Sequence, residues 1–327
     1  MYGKSLHIGK IRGIGFEIHY TWFLIFLLLT ISLGLEYSDI YPNWPSLAHW
    51  MAGLFSALLL FASVLAHELA HSLVALKCNV PVRSITLFFF GGVAQITREA
   101  SSPKAEFRIA IAGPVCSIGL AIIFGAVWLL SHGQVEFIEG IAGYLALINI
   151  MLAGFNLIPG FPLDGGRLLR SLIWSRTGDY DLATRIALLG GRIIAYALIA
   201  SGVGGTIVIS WTQREFWAGG LWLALIGWFL QTAVRASSRQ ARMKQILKKI
   251  TVREAMTPCH LLGFLWPASG MGMVGPDDDG LATMSKMDQG QVDQLAVVEN
   301  GKVVGLIRRE NLLRLAEWAF KNRGERI

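Results

Sequence analysis

The chain has 327 residues, of which 54% are hydrophobic and 16% charged, and its mean hydropathy is +0.51. Such a balance excludes a purely soluble protein and fits a polytopic membrane protein with a modest soluble part. The net charge of +7 matters less for its sign than for its location, and no nucleic-acid partner is expected.

Six apolar stretches approach the length a bilayer demands, roughly 20 residues each. Their approximate limits are 17–35, 49–76, 107–131, 138–160, 186–210 and 216–234. The first is too long and uninterrupted for a signal peptide, and no small-residue cleavage site follows it. The second carries no charge from Met51 to Ala66 and then reads His67-Glu68-Leu69-Ala70-His71. Counted from Trp50, His67 lies roughly 26 Å along the helix. The motif is therefore expected in the inner part of the bilayer, with Lys77 marking the exit.

Residues 81–97 follow. They are β-branched and aromatic, with Gly91-Gly92 at the centre, and predict a membrane-associated strand or β-hairpin beside the motif. The fourth apolar region breaks at Asn156-Leu-Ile-Pro-Gly-Phe-Pro-Leu-Asp-Gly-Gly-Arg167. Two prolines and three glycines cannot continue a regular helix. Irregular backbone at membrane depth survives only where protein or a wet cavity satisfies it. Asp164, about 25 residues from the outer end of this region, reaches the same depth as the histidines.

Basic residues cluster at alternate connections. Lys4, Lys10 and Arg12 precede the first span. Lys77, Arg83, Arg98, Lys104 and Arg108 lie between the second and third. Arg167, Arg170, Arg176 and Arg185 lie between the fourth and fifth, and Arg235, Arg239, Arg242, Lys244, Lys248 and Lys249 follow the sixth. The other connections hold Glu36, Asp39, Glu136, Glu139 and Glu215 against Arg214 alone. Both termini are then cytoplasmic. Cys78, Cys116 and Cys259 are too scattered for a disulfide framework or a Cys-type zinc site, and read as small packing residues.

Beyond the sixth span, 236–250 reads as a basic juxtamembrane linker. A soluble tail over 251–327 has a helix start at Thr251–Pro258 and a loop around Pro276–Gly280. A strand-turn-strand over Leu295–Ile307, with Asn300-Gly301 as its tight turn, leads to a last helix over Glu310–Phe320.

The motif H-E-x-x-H puts two histidines on one helix face, where both reach a single Zn²⁺. A catalytic zinc takes three protein ligands and keeps one position open. Asp164 is the best candidate for the third, since a bare carboxylate in an apolar stretch is costly unless its charge is compensated. Pairing with Arg167, or capping of a helix that starts near Gly165, are its other uses. Glu68 is the candidate catalytic base, placed to take a proton from the attacking water and pass it to the leaving amine.

These residues carry a resemblance to the site-2 protease family of intramembrane zinc metalloproteases, in the branch with a C-terminal CBS domain. The family pattern matches His67, Glu68 and His71. Its second signature, N-x-x-P-x-x-P-L-D-G-G-R, matches Asn156 through Arg167 without a mismatch. The resemblance implies one Zn²⁺ per chain on His67, His71 and Asp164, and a contact of Asn156 with substrate backbone or the developing oxyanion. It also implies that Phe90-Gly91-Gly92 holds an unwound substrate as an added strand. Ala112-Gly-Pro114 and Ile18–Trp22 also resemble family segments. The match covers roughly residues 10 to 235, taken as an intramembrane metalloprotease domain over 1–235. The tail resembles a single CBS motif. Because such motifs work in pairs, the resemblance suggests a homodimer through this domain. An adenine nucleotide is possible there but doubtful, because Arg308 and Asn311 depart from the nucleotide-binding pattern; dimerisation domain and sensor both remain open.

The function expected is hydrolysis of a peptide bond within or near the transmembrane segment of a membrane-anchored protein, close to the cytoplasmic face of the cell membrane. A CBS-gated metal or ion transporter is the alternative, and a non-catalytic membrane scaffold a third. An intact Glu68 speaks against the transporter, since two histidines suffice to bind an ion, and a scaffold would more readily have lost Glu68 or Asp164.

Overall fold

The computed structural model describes residues 5–11, 13–88, 91–96, 99–210, 217–259 and 272–322. Lys4, Arg12, Phe90, Arg98, Arg214 and Glu215 lie outside them. The chain divides into two compact units, Met1–Val234 and Arg235–Ile327.

The first unit begins with β1 (Ser5–Ile11) and β2 (Ile14–His19), followed by α1 (Thr21–Ile40) and α2 (Ser46–Lys77). Next come β3 (Val82–Phe88), β4 (Gly91–Ile96), α3 (Pro103–Ser131), α4 (Glu136–Asn156), α5 (Asp164–Thr177) and α6 (Tyr180–Ser210). The first half of α7 (Trp217–Lys249) closes the unit. Among the described residues five helices, α1, α2, α3, α4 and α6, are long and apolar enough to cross a membrane, so the protein is a multi-pass membrane protein. The stretch expected as a sixth span is the apolar half of α7, which runs without a break into its basic half. It is not among the five.

Local chemistry explains where the helices stop and start. Ser102 caps α3, its hydroxyl accepting from the Ala105 amide at 3.3 Å, with Pro103 in the first turn. Glu136 and Glu139 occupy the first turn of α4, where the helix dipole favours acids. Gly178, at φ 71°, ends α5. The α1–α2 crossing is close because it runs over glycine. A Cβ on Gly53 would stand 2.6 Å from the Thr30 carbonyl and 2.7 Å from the Gly34 nitrogen. With no hydrophobic drive between helices in lipid, such small-residue contacts provide the packing.

The expected hairpin over 81–97 is present as β3 and β4, paired antiparallel with Leu87 opposite Gly92. It belongs to a larger sheet of order β1-β2-β3-β4, in which β2 runs parallel to β3. The first apolar stretch was expected to begin at residue 17 as helix. Instead 14–19 is strand and the helix starts at Thr21. Buried Ile14, Phe16, Val82 and Ile85 pack with Ala75 in the last turn of α2, with Val80 just beyond it and with Ile109 of α3. This core fixes the sheet beside the half of α2 that carries the two histidines.

The second unit starts with the basic half of α7 and contains α8 (Val252–Ala255), β5 (Thr257–Pro258) and β6 (Met273–Val274). It continues with α9 (Gly280–Gly290), β7 (Gln294–Glu299), β8 (Lys302–Arg308) and α10 (Arg309–Asn322). Its sheet order is β5-β8-β7-β6. Asn300 and Gly301 join β7 to β8 with φ values of 52° and 75°, the turn their dipeptide predicts. The stretch read as a linker is helical, and Leu247 and Ile250 enter this unit's core with Val252, Met287, Val297, Ile307 and Leu312. Helix α9 was not foreseen. Asp279 caps it, accepting from the Ala282 amide at 2.7 Å.

Candidate metal centre

His67 and His71 lie one turn apart on α2 and are 3% and 4% exposed. The chain leaves α4 at Asn156, crosses a short loop and re-enters helix at Asp164, the first residue of α5. That loop is held tightly. A Cβ on Gly165 would overlap the Leu157 and Ile158 carbonyls, and one on Gly166 would overlap the Phe161 nitrogen. The Phe161 amide donates to the Ala187 carbonyl of α6 at 3.0 Å. Asp164 is not the helix cap, a position held by Leu163. Its carboxylate turns instead toward α2.

Three atoms converge there. Asp164 Oδ2 is 3.2 Å from His67 Nε2 and 3.0 Å from His71 Nε2, and the two nitrogens are 3.2 Å apart. Among the described residues no other trio of His, Cys, Asp or Glu side chains gathers in this way. The partner on the far side of each ring bears on the tautomer. His71 Nδ1 donates to the Ile109 carbonyl at 2.6 Å. A carbonyl only accepts, so that nitrogen carries the proton and a neutral ring has its lone pair on Nε2. His67 Nδ1 meets the Ser117 hydroxyl at 2.9 Å, which the same tautomer satisfies. Two lone pairs and a carboxylate facing one another repel unless a cation sits among them. Zinc–ligand bonds of about 2.0–2.1 Å in a tetrahedron place donor atoms roughly 3.3 Å apart, close to the separations found. The donor set fits one Zn²⁺.

Gly113 of α3 forms a wall of the site. A Cβ there would overlap Nε2 of both histidines, so only glycine lets the rings meet. Ile109, Gly113 and Ser117 are successive turns of α3 and present one face to the histidine pair. Sequence reasoning noted Gly113 only as part of a family segment and missed Ile109 and Ser117.

Glu68, the residue after His67 on α2, is half-buried. A Cβ on Gly92 would stand 2.6 Å from Glu68 Cγ and 3.5 Å from Cδ. The structure therefore brings the first residues of β4 against Glu68, with Gly91 at φ 127° in a region that favours glycine. Asn156 closes α4 half-buried, its amide donating to the Leu152 carbonyl of its own helix at 3.0 Å.

Comparison with known proteins places this geometry. The sequence profile of peptidase family M50 matches residues 55–198. Zinc metalloprotease MJ0392 of Methanocaldococcus jannaschii is 35% identical over 314 residues, covering 94% of this chain and 79% of that protein. The chain belongs to the M50, or site-2 protease, family of zinc metalloproteases. Rip3 of Mycobacterium tuberculosis is 40% identical to this M50 chain over 259 residues, which cover 77% of this chain and 63% of Rip3. The chain thus spans less than two thirds of Rip3. A solved chain, the site-2 protease from Methanocaldococcus jannaschii, is 31% identical with a TM-score of 0.48, covering 72% of this chain and 95% of that one. The matched range spans His67, His71 and Asp164.

Proposed function

We propose that this protein is an intramembrane zinc endopeptidase that cuts a membrane-anchored protein within or near its transmembrane segment, close to the cytoplasmic face. The observation that carries the reading is the convergence of His67 Nε2, His71 Nε2 and Asp164 Oδ2 within a bundle of apolar helices. Zinc held there supplies a Lewis acid for a peptide carbonyl and acidifies water. Glu68 takes the proton from the attacking water and returns it to the leaving amine. A helical substrate hides its amides in its own hydrogen bonds, so it must unwind before attack. The edge strand β4 beside Glu68 offers backbone partners for the freed segment, and Asn156 offers an amide donor for the carbonyl oxygen. We place both termini in the cytoplasm, with the apolar half of α7 as a sixth crossing of the cell membrane.

The test pairs metal content with cleavage of a membrane-anchored substrate in liposomes. Wild type is expected to carry about one zinc per chain. Asp164→Ala should lose it, whereas Glu68→Gln should keep it and lose cleavage. Zinc-free wild type, or a Glu68→Gln protein that cleaves normally, overturns the proposal, and metal flux into vesicles would point to a transporter instead.

For the tail, the strand-strand-helix unit supports a single CBS-like domain that pairs with a second copy. Asn311 donates to Thr257 Oγ1 at 3.2 Å, and Arg309 bonds Asp288 and Asp293 at 2.7 and 3.1 Å. Those side chains are engaged within the unit, which favours dimerisation over nucleotide sensing. Light scattering of the full chain should report a dimer that removal of 251–327 converts to monomer; a full-length monomer sinks the idea.

A further inference from the structure

Glu106, in the first turn of α3, is 1% exposed. Its carboxylate accepts from Arg170 Nε of α5 at 2.7 Å, and a second guanidinium nitrogen donates to the same oxygen. The arginine carbon lies 4.7 Å from the ring centroids of both Phe161 and Tyr180. This one side chain therefore joins α3, the loop before Asp164, α5 and the start of α6. The placement brackets the metal centre. Glu106 is three residues before Ile109, whose carbonyl orients His71. Phe161 is three residues before Asp164, and Arg170 is six after it.

Burying two charges is expensive, and an apolar pair of similar volume often stabilises as well or better. Stability alone is therefore a weak reason for the pair. A metal site demands ligand positions good to about 0.2 Å, and groups that orient ligands tune affinity strongly. We propose that Glu106 and Arg170 are positioning residues that fix Asp164 against His71 and so set the affinity of the zinc site. This rests on the reading that His67, His71 and Asp164 hold zinc.

The test uses the purified full chain with three changes: Arg170→Lys, Glu106→Gln and the double Glu106→Gln/Arg170→Gln. The double change leaves no unpaired buried charge. Arg170→Lys keeps the charge but loses the fork and the ring contacts. Tyr37→Phe is the control. It removes a buried hydroxyl bonded to Ser56 at 2.8 Å, about 16 Å along α2 from His67. Zinc affinity is read by chelator competition, and coordination geometry from the visible bands of the cobalt-loaded protein. The double variant is expected to bind zinc roughly tenfold to hundredfold more weakly with altered cobalt bands, and Arg170→Lys to fall between it and wild type. Tyr37→Phe should melt lower with unchanged affinity and bands. Affinity within twofold of wild type and unaltered bands in the folded double variant overturn the proposal. So does failure of all three to fold while Tyr37→Phe folds, which would make the pair structural. A wild-type protein without zinc affinity overturns the zinc reading instead.

Discussion

Gly113 faces the histidine pair from α3, and a methyl group there would overlap both Nε2 atoms. Gly113→Ala therefore forces the rings apart or bends α3, at an overpacking cost of about 1–3 kcal/mol. Zinc affinity is expected to fall by roughly tenfold or more, and a variant purified with full zinc would refute this. Gly92→Ala acts on the other half of the chemistry. Its Cβ would press on Glu68 Cγ, so zinc should remain while cleavage drops. The group His67, His71 and Asp164 was legible because it carries metal chemistry within recognisable motifs. Gly113 carries none, and its role appears only when another helix arrives. Ser117 was hidden for a different reason. Hydroxyls in apolar helices usually bond back to their own backbone, as Ser63 does to Leu59 and Ser131 to Val127. Nothing local marks the one that reaches a histidine. Glu106 and Arg170 lie 64 residues apart, and the arginine was read only as a topology signal.

Helix α5 shows propensity and packing pulling in opposite directions. In a helix, Gly→Ala should gain about 1 kcal/mol. At Gly166 the added Cβ would overlap the Phe161 nitrogen and lie 2.6 Å from the Gly160 carbonyl oxygen. Backbone cannot yield as a side-chain tip does, so packing wins. Gly166→Ala is expected to lower the melting temperature and the zinc content together, although it touches no ligand; a stabilised, fully metallated variant would reverse that ranking. The break from Asn156 to Arg167 was readable from its prolines and glycines. The sheet was half readable. Its hairpin has a β-branched run around a glycine pair, but β1 carries Lys10, which read as a topology signal, and the end of β2 was taken into the apolar stretch that starts at residue 17. In the second unit, Asp278 accepts from the Gly275 amide and from Lys286 Nζ, each at 3.1 Å. Mainly through the backbone bond, its carboxyl is held below the ordinary aspartate value. A depressed folded value means the contribution is present above about pH 4 and lost as pH falls below it. Asp278→Ala should speed exchange of the Gly275 amide near pH 7, and the difference from wild type should shrink below pH 4. A difference independent of pH would remove the charge from the account.

For the whole molecule, the depth of the site decides how water reaches it. From Ser46 to His67 is 21 residues of α2, roughly 32 Å at the helical rise, about the full thickness of a hydrocarbon core. The zinc ligands then lie at the end of α2 marked by Lys77, and the sheet β1-β2-β3-β4 covers that same end. The far end is closed differently. Tyr41 and Trp44 stack at 4.2 Å between ring centroids, Trp44 donates to Glu136 at 3.0 Å, and His49 meets the Tyr41 carbonyl at 2.9 Å. Among described connections, basic residues gather on the zinc side, although Arg170 is engaged by Glu106 and cannot count as a free topology charge. Arg167 and Arg176 remain, and the cytoplasmic placement proposed above for that side rests on charges of this kind. Topology reporters inserted at Gly133, between α3 and α4, and at Gly178, between α5 and α6, should therefore read opposite sides, with Gly178 cytoplasmic. Arg167→Gln/Arg176→Gln should weaken that bias without inverting it, because Arg235 and Arg239 still act. If Gly133 reads cytoplasmic instead, the zinc site faces the outside, and the substrate must be cut from the opposite side of the membrane.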